Sequence, residues 1–257
     1  MRGVIRVPLA PIRSAANDRS EMVTQALFGE LLTLEPVPTA PLWVKVTLAF
    51  DGYEGYMDFR MAETDLEAIA AFEGDCVTLP SPLTAFSWGE QSLHLPAGSK
   101  VPEAAWSSSE VSSPTSPMDA AMRFLGAPYL WGGKSVLGID CSGLTQLAGI
   151  LCGHQIPRDA GQQWSRLQSR QKEHDGLTTG DLVYFHKPSG DQVTHVGMAI
   201  VSADEPCRIL HAAGEVRIDE LTPLGIMRNG ELTHAWHGAA SWPINAESRP
   251  SELRGGL

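Results

Sequence analysis

The sequence predicts an α+β protein, and two patterns carry that prediction. Short stretches of alternating apolar and polar residues, separated by turn signals, fill residues 1–62 and predict the strands of a small barrel. The second half begins with helical patterns and continues with closely spaced strand patterns. Helices followed by an antiparallel meander are typical of an α+β domain.

The first 62 residues contain several strand signals with turns between them. The clearest strand is Trp43 to Leu48, which alternates apolar and polar residues. Asp51-Gly52 is a hairpin turn signal, and it separates that strand from the next. The other predicted strands are Val4 to Val7, Met22 to Leu27, Glu30 to Leu34 and Gly55 to Asp58.

Three stretches of this region resemble a bacterial SH3-like domain. They are Ser20 to Glu30, Trp43 to Val46 and Asp51 to Tyr56. The resemblance implies that residues 1–62 form one complete SH3-like barrel. Its aromatic residues are expected to contribute to the barrel core, because aromatic side chains dominate the energetics of cores.

Residues 63–110 predict a shorter unit. Glu63 to Phe72 can form a helix, and Cys76 to Leu79 and Ser92 to Leu95 can form strands. Leu93 to Val101 resembles part of a second SH3-like unit. Residues 63–110 are too few for a complete one, so we expect a truncated barrel. A Ser-rich stretch then predicts an exposed linker, residues 111–116, before a helix that begins at Pro117.

The most informative stretch is residues 128–153. A Gly-rich turn leads to Asp140-Cys141-Ser142-Gly143, and Leu144 to Leu151 predicts a helix that stops at Gly153. Cys141 therefore lies at a helix N-terminus, where unpaired backbone amides carry partial positive charge. We expect this position to lower the pKa of the thiol and make it a nucleophile.

Two histidines are candidates for the base that a thiol nucleophile needs. His195 lies on the predicted strand Thr194 to Val201, and His211 lies on the strand Arg208 to Ala213. If these strands pair, the two imidazoles can be neighbours. Each residue taken alone has an ordinary alternative: a buried cysteine acts as a small hydrophobe, a histidine is solvated, and an aspartate caps a helix.

In combination, these residues resemble the NlpC/p-sixty family of papain-like cysteine peptidases over residues 117–245. The matching stretches are Tyr129 to Gly133, Asp140 to Leu144, Gly180-Asp181-Leu182, His195 to Met198 and His211-Ala212. The resemblance implies that Cys141 is the nucleophile, His195 the general base and acid, and His211 the residue that orients His195. It also implies cleavage of murein stem peptides. Residues 246–257 remain as a C-terminal tail.

The SH3-like region and the pair Arg158-Asp159 sharpen the resemblance to γ-D-glutamyl-L-diamino acid endopeptidases of murein recycling. It implies a tri- or tetrapeptide substrate, L-Ala-γ-D-Glu-diamino acid, with a free N-terminus. The implied substrate-binding residues are Asp140 and Glu54, which would hold the ammonium group, together with Tyr129, Ser142, Arg158 and Asp159. A serine often follows the Arg-Asp pair in that subgroup, and Ala160 stands there in this chain.

Bulk properties limit the other functions. The net charge of −11 argues against nucleic-acid binding, and no apolar run is long enough to span a membrane. The first residues are too rich in charge and proline for a secretory signal, so we expect a cytoplasmic protein. Four scattered cysteines predict neither disulfides nor a zinc site, and we expect no metal or other cofactor.

Two alternatives stay open. One is a hydrolase or amidase of the same family that acts on the intact wall, and the other is a non-catalytic module that binds murein peptides. The sequence leaves undecided whether the third substrate residue is diaminopimelate or lysine, and it does not give the oligomeric state.

Overall fold

A computed structural model describes residues 1–107 and 112–243 of the chain. Two predicted segments fall partly or wholly outside these ranges. They are residue 111 of the predicted linker, 111–116, and the whole predicted tail, 246–257. No helix in the described ranges is both long and apolar enough to cross a membrane.

The N-terminal region is an antiparallel barrel-like sheet. Its strands are β1 (Arg2–Ile5), β2 (Leu9–Arg13), β3 (Met22–Leu27), β4 (Leu31–Pro36), β5 (Trp43–Leu48), β6 (Glu54–Asp58) and β7 (Ala62–Glu63). They follow the order β3-β2-β6-β5-β4-β1-β7. Alternate residues point inward, so that Ile12, Val46 and Met57 are buried in one apolar core.

The next unit packs directly on this barrel. Its elements are α1 (Leu66–Glu73), β8 (Cys76–Thr78), β9 (Leu83–Trp88), β10 (Gln91–Pro96) and β11 (Lys100–Pro102). The four strands form two separate pairs, β9 with β10 and β8 with β11. Phe28 of the barrel meets the rings of Phe72 and Phe86 at 5.6 and 6.2 Å. The unit therefore shares an aromatic core with the barrel.

The C-terminal region places helices against a second sheet. Its helices are α2 (Pro117–Met122), α3 (Cys141–Leu151) and α4 (Ala160–Leu167). Its strands are β12 (Lys134–Ser135), β13 (Gly138–Ile139), β14 (Gln171–Lys172), β15 (Leu182–His186), β16 (Val193–Ile200), β17 (Arg208–Ala213), β18 (Glu215–Thr222), β19 (Gly225–Arg228) and β20 (Glu231–Ala240). Strands β15 to β20 close into a ring because β20 pairs with both β15 and β19, and β14 adds at the edge of β20.

Helix α3 is the central element of this region. Asp140 caps its first turn by accepting a hydrogen bond from the Gly143 amide at 2.6 Å. Leu144 and Leu147 are fully buried, and the helix packs against β16 and β17. This packing fixes the N-terminus of α3 beside the strands that carry the two histidines.

Buried polar contacts join the N-terminal barrel to the C-terminal region. The Arg158 Nε donates to Thr24 Oγ1 at 2.7 Å, and the Lys134 amide donates to Gln25 Oε1 at 2.8 Å. Lys134 Nζ also lies 3.4 Å from Glu30 Oε1. These contacts place β3 next to β12 and the segment that precedes α4.

Candidate active site

A cleft of about 970 Å³ opens where the barrel, the start of α3 and the second sheet meet. Cys141 and His195 both line this cleft, and each is 6% exposed. Backbone hydrogen bonds with Ser142 and Val196 favour the thiolate form of Cys141. The sulfur therefore lies beside the residue that follows His195 in β16.

The two histidines and an aspartate form a hydrogen-bonded chain behind the thiol. His195 Nε2 lies 2.8 Å from His211 Nδ1, and His211 Nε2 lies 3.0 Å from Asp219 Oδ2. Arg217 Nε donates to the same carboxylate oxygen at 2.8 Å. Although burial opposes it, hydrogen bonds from Arg217 and His211 hold the pKa of Asp219 below its usual value.

This chain fixes the proton positions on both imidazoles. An ionised Asp219 only accepts, so His211 must carry its proton on Nε2. His211 Nδ1 is then an acceptor, and His195 must donate to it from Nε2. His195 Nδ1 is left unprotonated, which is the form that can take a proton from a thiol.

Burial dominates the protonation of the pair. It raises the pKa of the Cys141 thiol to about 12, with the charge of Asp140 acting in the same direction. It also lowers the pKa of His195 well below its usual value. The lowered thiol pKa expected from the helix N-terminus is therefore wrong. The amides do favour the thiolate, but desolvation outweighs them, and the resting pair is a neutral thiol beside a neutral imidazole.

Asp140 is already neutralised within the fold. Arg158 NH1 and NH2 donate to its two oxygens at 2.9 and 2.7 Å, and the Gly132 and Gly143 amides donate at 2.8 and 2.6 Å. Arg158 is buried, and NH1 also donates to Ser142 Oγ at 2.9 Å. Asp140 thus lines the cleft with its carboxylate paired to Arg158, and its expected role in holding an ammonium group stays a prediction.

Glu54 does not reach the cleft, which corrects the expectation for the acidic residue from the barrel. Its carboxylate is exposed and lies 3.0 Å from Lys45 Nζ. Glu21 occupies the expected place instead: it lines the cleft and accepts a hydrogen bond from Trp131 Nε1 at 2.6 Å. Strand periodicity could not identify Glu21, because the docking of the barrel on the C-terminal region decides which barrel face meets the cleft.

Asp159, Tyr53 and Tyr129 complete this end of the cleft. The Tyr53 hydroxyl donates to Asp159 Oδ2 at 3.3 Å, so Tyr53 is a site residue as well as a barrel residue. Burial raises the pKa of Tyr53 to about 12 and also raises the pKa of Tyr129, so both hydroxyls remain donors. Burial raises the pKa of Asp159 too, against the opposing charge of Arg158.

The site contains no preformed metal centre within the described residues. Across residues 1–107 and 112–243, no group of three or more His, Cys, Asp or Glu side chains is arranged to hold a metal ion. The His234 ring instead stacks on His195, with centroids 4.1 Å apart and an interplanar angle of 26°. His234 also lines the cleft and was not predicted from the sequence.

A helix with a cysteine at its N-terminus, packed against a sheet that carries the partner histidine, defines a papain-like α+β fold. Residues 126–229 match the NlpC/P60 family, and residues 12–59 match the bacterial dipeptidyl-peptidase Sh3 domain. The chain thus combines an NlpC/P60 domain with a bacterial SH3 domain at its N-terminal side.

One solved structure is similar over nearly the whole chain, and curated relatives are similar over part of it. The crystal structure of an NlpC/P60 family protein from Bacillus cereus superimposes with a TM-score of 0.76 at 21% identity, covering 94% of this chain and 99% of that one. A γ-D-glutamyl-L-lysine dipeptidyl-peptidase of Bacillus cereus is 37% identical over 108 residues, which is 42% of this chain and 31% of the relative. The murein DD-endopeptidase MepH of Escherichia coli is 36% identical over 85 residues, 32% of this chain and 31% of the relative. The chain thus aligns with about a third of the length of these curated relatives.

Proposed function

We propose that this protein is a cysteine peptidase that releases L-Ala-γ-D-Glu from murein tri- and tetrapeptides with a free N-terminus. The observation that carries the proposal is the acidic end of the cleft beside Cys141 and His195. Glu21 and Asp159 both line the cleft there, and Tyr53 bonds to Asp159. Two carboxylates at one end of the cleft can pair with the positively charged ammonium group of a peptide N-terminus.

The acidic end would select by charge. Asp159 is half-buried and Glu21 is exposed. An ammonium group that enters beside Asp159 needs a carboxylate partner, because an unpaired charge in a partly buried site is costly. An acylated or glycan-linked N-terminus brings no charge and would leave Glu21 and Asp159 unpaired. Binding at this end would also fix how far the scissile bond lies from the N-terminus.

The proposed reaction begins at the γ-D-glutamyl carbonyl. Cys141 Sγ attacks the carbonyl carbon while its proton passes to His195 Nδ1, and the carbonyl oxygen becomes an oxyanion. Unpaired amides at the start of α3, including that of Cys141, stabilise this charge. The tetrahedral intermediate then collapses: the C–N bond breaks, and His195 gives its proton to the departing amine.

Water completes the cycle. His195, neutral again, takes a proton from a water molecule, and the oxygen attacks the thioester carbonyl. The C–S bond breaks and His195 returns its proton to Cys141 Sγ. The dipeptide leaves with a new carboxyl group at the γ position, which releases the second proton of the water to solvent. His211 and Asp219 hold the imidazole in the productive tautomer through both steps.

The names of the relatives support the class of substrate. One relative from Bacillus cereus is a γ-D-glutamyl-L-lysine dipeptidyl-peptidase, and one from Escherichia coli is a murein DD-endopeptidase. A role in recycling murein peptides in the cytoplasm is part of the proposal, because free N-termini arise on peptides already released from the wall. Cell fractionation with an antibody against the protein tests that location.

Mass spectrometry of digests tests the activity. The wild-type protein is incubated with L-Ala-γ-D-Glu-diaminopimelate and, separately, with purified sacculi. We expect release of L-Ala-γ-D-Glu by the wild type and by Cys152→Ala, whose cysteine lies at the far end of α3. Cys141→Ala should release none.

Other outcomes distinguish the alternatives. Release of fragments from sacculi would identify a wall hydrolase. Binding of the tripeptide without cleavage would identify a binding module.

A further inference from the structure

The charged residues of the cleft are divided between its two walls. The three carboxylates, Glu21, Asp140 and Asp159, lie at the side that faces the N-terminal barrel. The three permanent cations of the lining come from a different part of the fold, the ring of strands, which we call the basic wall. They are Lys187 directly after β15, Arg217 in β18 and Arg228 at the end of β19. This basic wall is notable in a chain of net charge −11.

Two of these cations have no acidic partner in the described part of the chain. Arg217 is paired with Asp219 at 2.8 Å, whereas Lys187 and Arg228 are exposed and form no ion pair among the described residues. Glu231 lies opposite Arg228 in the β19–β20 register but does not line the cleft. Lys187 and Arg228 are therefore available to an anionic ligand.

The basic wall adjoins the thiol site through His234. His186 is paired with Ala235 in the β15–β20 register, which places Lys187 beside His234. His234 in turn stacks on His195. A ligand that lies across Cys141 and His195 would therefore meet the basic wall on the side of His234.

Under the proposed function, on which this inference rests, the leaving group supplies the anions. The third residue of a murein tripeptide carries its own α-carboxylate, and diaminopimelate carries a second carboxylate on its side chain. Lysine has the same side-chain amine but lacks that second carboxylate. We propose that Lys187 and Arg228 bind the carboxylates of the leaving diamino acid and make the enzyme selective for a dicarboxylic diamino acid over lysine.

Kinetics with two matched peptides test this selectivity. L-Ala-γ-D-Glu-meso-diaminopimelate and L-Ala-γ-D-Glu-L-Lys are compared with the wild type, the double variant Lys187→Gln/Arg228→Gln, and the control Arg208→Gln. Arg208 is exposed, pairs with Glu205 at 2.8 Å and lies outside the cleft lining. Thermal melts of each variant check that it folds.

The quantity to compare is the ratio of kcat/KM for the diaminopimelate peptide to kcat/KM for the lysine peptide. The wild type and Arg208→Gln should prefer the diaminopimelate peptide by about fivefold in kcat/KM, as the one additional, partly exposed ion pair to the second carboxylate allows. The preference should fall at high salt and disappear in the double variant. Its kcat/KM should fall for both peptides, because both carry the α-carboxylate, and fall further for the diaminopimelate peptide, which also loses the contact to its second carboxylate. A wild-type ratio near one, or an unchanged ratio in the double variant, would overturn the selectivity but leave the peptidase activity standing. No cleavage of either peptide would overturn the proposed function and this inference with it.

Discussion

Asp219 controls the thiol site without contacting the thiol. Its carboxylate accepts a hydrogen bond from His211 Nε2 at 3.0 Å. This bond fixes the tautomer of His211, which in turn fixes the position of the proton on His195. Because both imidazoles are buried, no water can easily replace a missing donor or acceptor in the chain. Replacing one carboxylate oxygen of Asp219 with an amide nitrogen should therefore change which nitrogen of His195 carries the proton.

We predict that Asp219→Asn lowers kcat by about a hundredfold or more with little change in KM, by analogy with the loss of an orienting aspartate in a serine-protease triad. An asparagine amide would donate to His211 Nε2 and reverse both tautomers, leaving a proton on His195 Nδ1. Steady-state kinetics on the tripeptide measure the effect. Glu220→Gln, on the neighbouring exposed position of β18, is the control. A kcat within twofold of wild type would show that Asp219 does not set the tautomer.

Glu21 and Glu54 offer a matched comparison of two barrel carboxylates. Glu21 lines the cleft, whereas Glu54 is exposed beside Lys45. We predict that Glu21→Gln raises KM for the free tripeptide by about tenfold or more, as the loss of a charge-assisted contact implies, and that Glu54→Gln changes nothing. Titration calorimetry with Cys141→Ala as the background measures the same loss as binding. The reverse order of effects would restore Glu54 as the ammonium partner.

The sequence made some site residues predictable and not others. Cys141, His195 and His211 stand in recognisable motifs, and the pairing of β16 with β17 brings the two histidines together. Asp219 could also have been found from the sequence. Arg217 lies opposite His211 in the β17–β18 pairing, and Asp219, two residues further along β18, is on the same face of the sheet as Arg217. Glu21 carried no such signal, because its position at the cleft depends on how the barrel packs against the C-terminal region.

At the scale of elements, the start of α3 depends on a close approach of two backbone segments. A Cβ on Gly143 would lie 2.3 Å from the Gly133 carbonyl oxygen and 2.9 Å from Asp140 Oδ1. Only glycine therefore lets the Gly-rich turn sit against the first turn of the helix. This contact holds Cys141 and Asp140 in their observed positions.

We predict that Gly143→Ala lowers both stability and kcat, because the helix start must move away from the turn. The expected loss of unfolding free energy is about 1–3 kcal/mol, the usual cost of overpacking. Urea unfolding and tripeptide kinetics measure the two effects. Gly176→Ala is the control, since a Cβ there meets nothing within 4 Å. Full activity in Gly143→Ala would show that the close approach is dispensable.

Most elements followed from local patterns, and the exceptions have physical reasons. Strands β5 (Trp43–Leu48) and β17 (Arg208–Ala213) have the same bounds as the strands predicted there. Strands β19 and β20 were missed, although Asn229-Gly230 between them is a hairpin signal. Both residues have positive φ, 52° and 81°, as such a turn requires. The mixed composition of β20 hid its alternation.

At the scale of the whole molecule, a buried ion pair helps join the barrel to the C-terminal region. The side chains of Lys134 and Glu30 are 2% and 7% exposed and lie 3.4 Å apart. Removing one partner would leave the other charge buried and uncompensated, which is more costly than removing both. Composition and periodicity could not predict this interface, because its partners lie 104 residues apart.

We predict that Lys134→Met lowers the unfolding free energy by about 3–5 kcal/mol. The double variant Lys134→Met/Glu30→Gln should recover a large part of that loss. Lys45→Met, which removes an exposed partner of Glu54, should leave the urea midpoint unchanged. Equal midpoints for Lys134→Met and Lys45→Met would show that the buried pair does not hold the two regions together.

The division of charge across the cleft leads to one decisive comparison. The kcat/KM for L-Ala-γ-D-Glu-diaminopimelate is measured beside that for the same peptide with an acetylated N-terminus. Loss of the ammonium group should lower kcat/KM by about a hundredfold or more, because Glu21 and Asp159 lose their partner while the scissile bond is unchanged. Equal values for the two peptides would contradict recognition of a free N-terminus by this cleft.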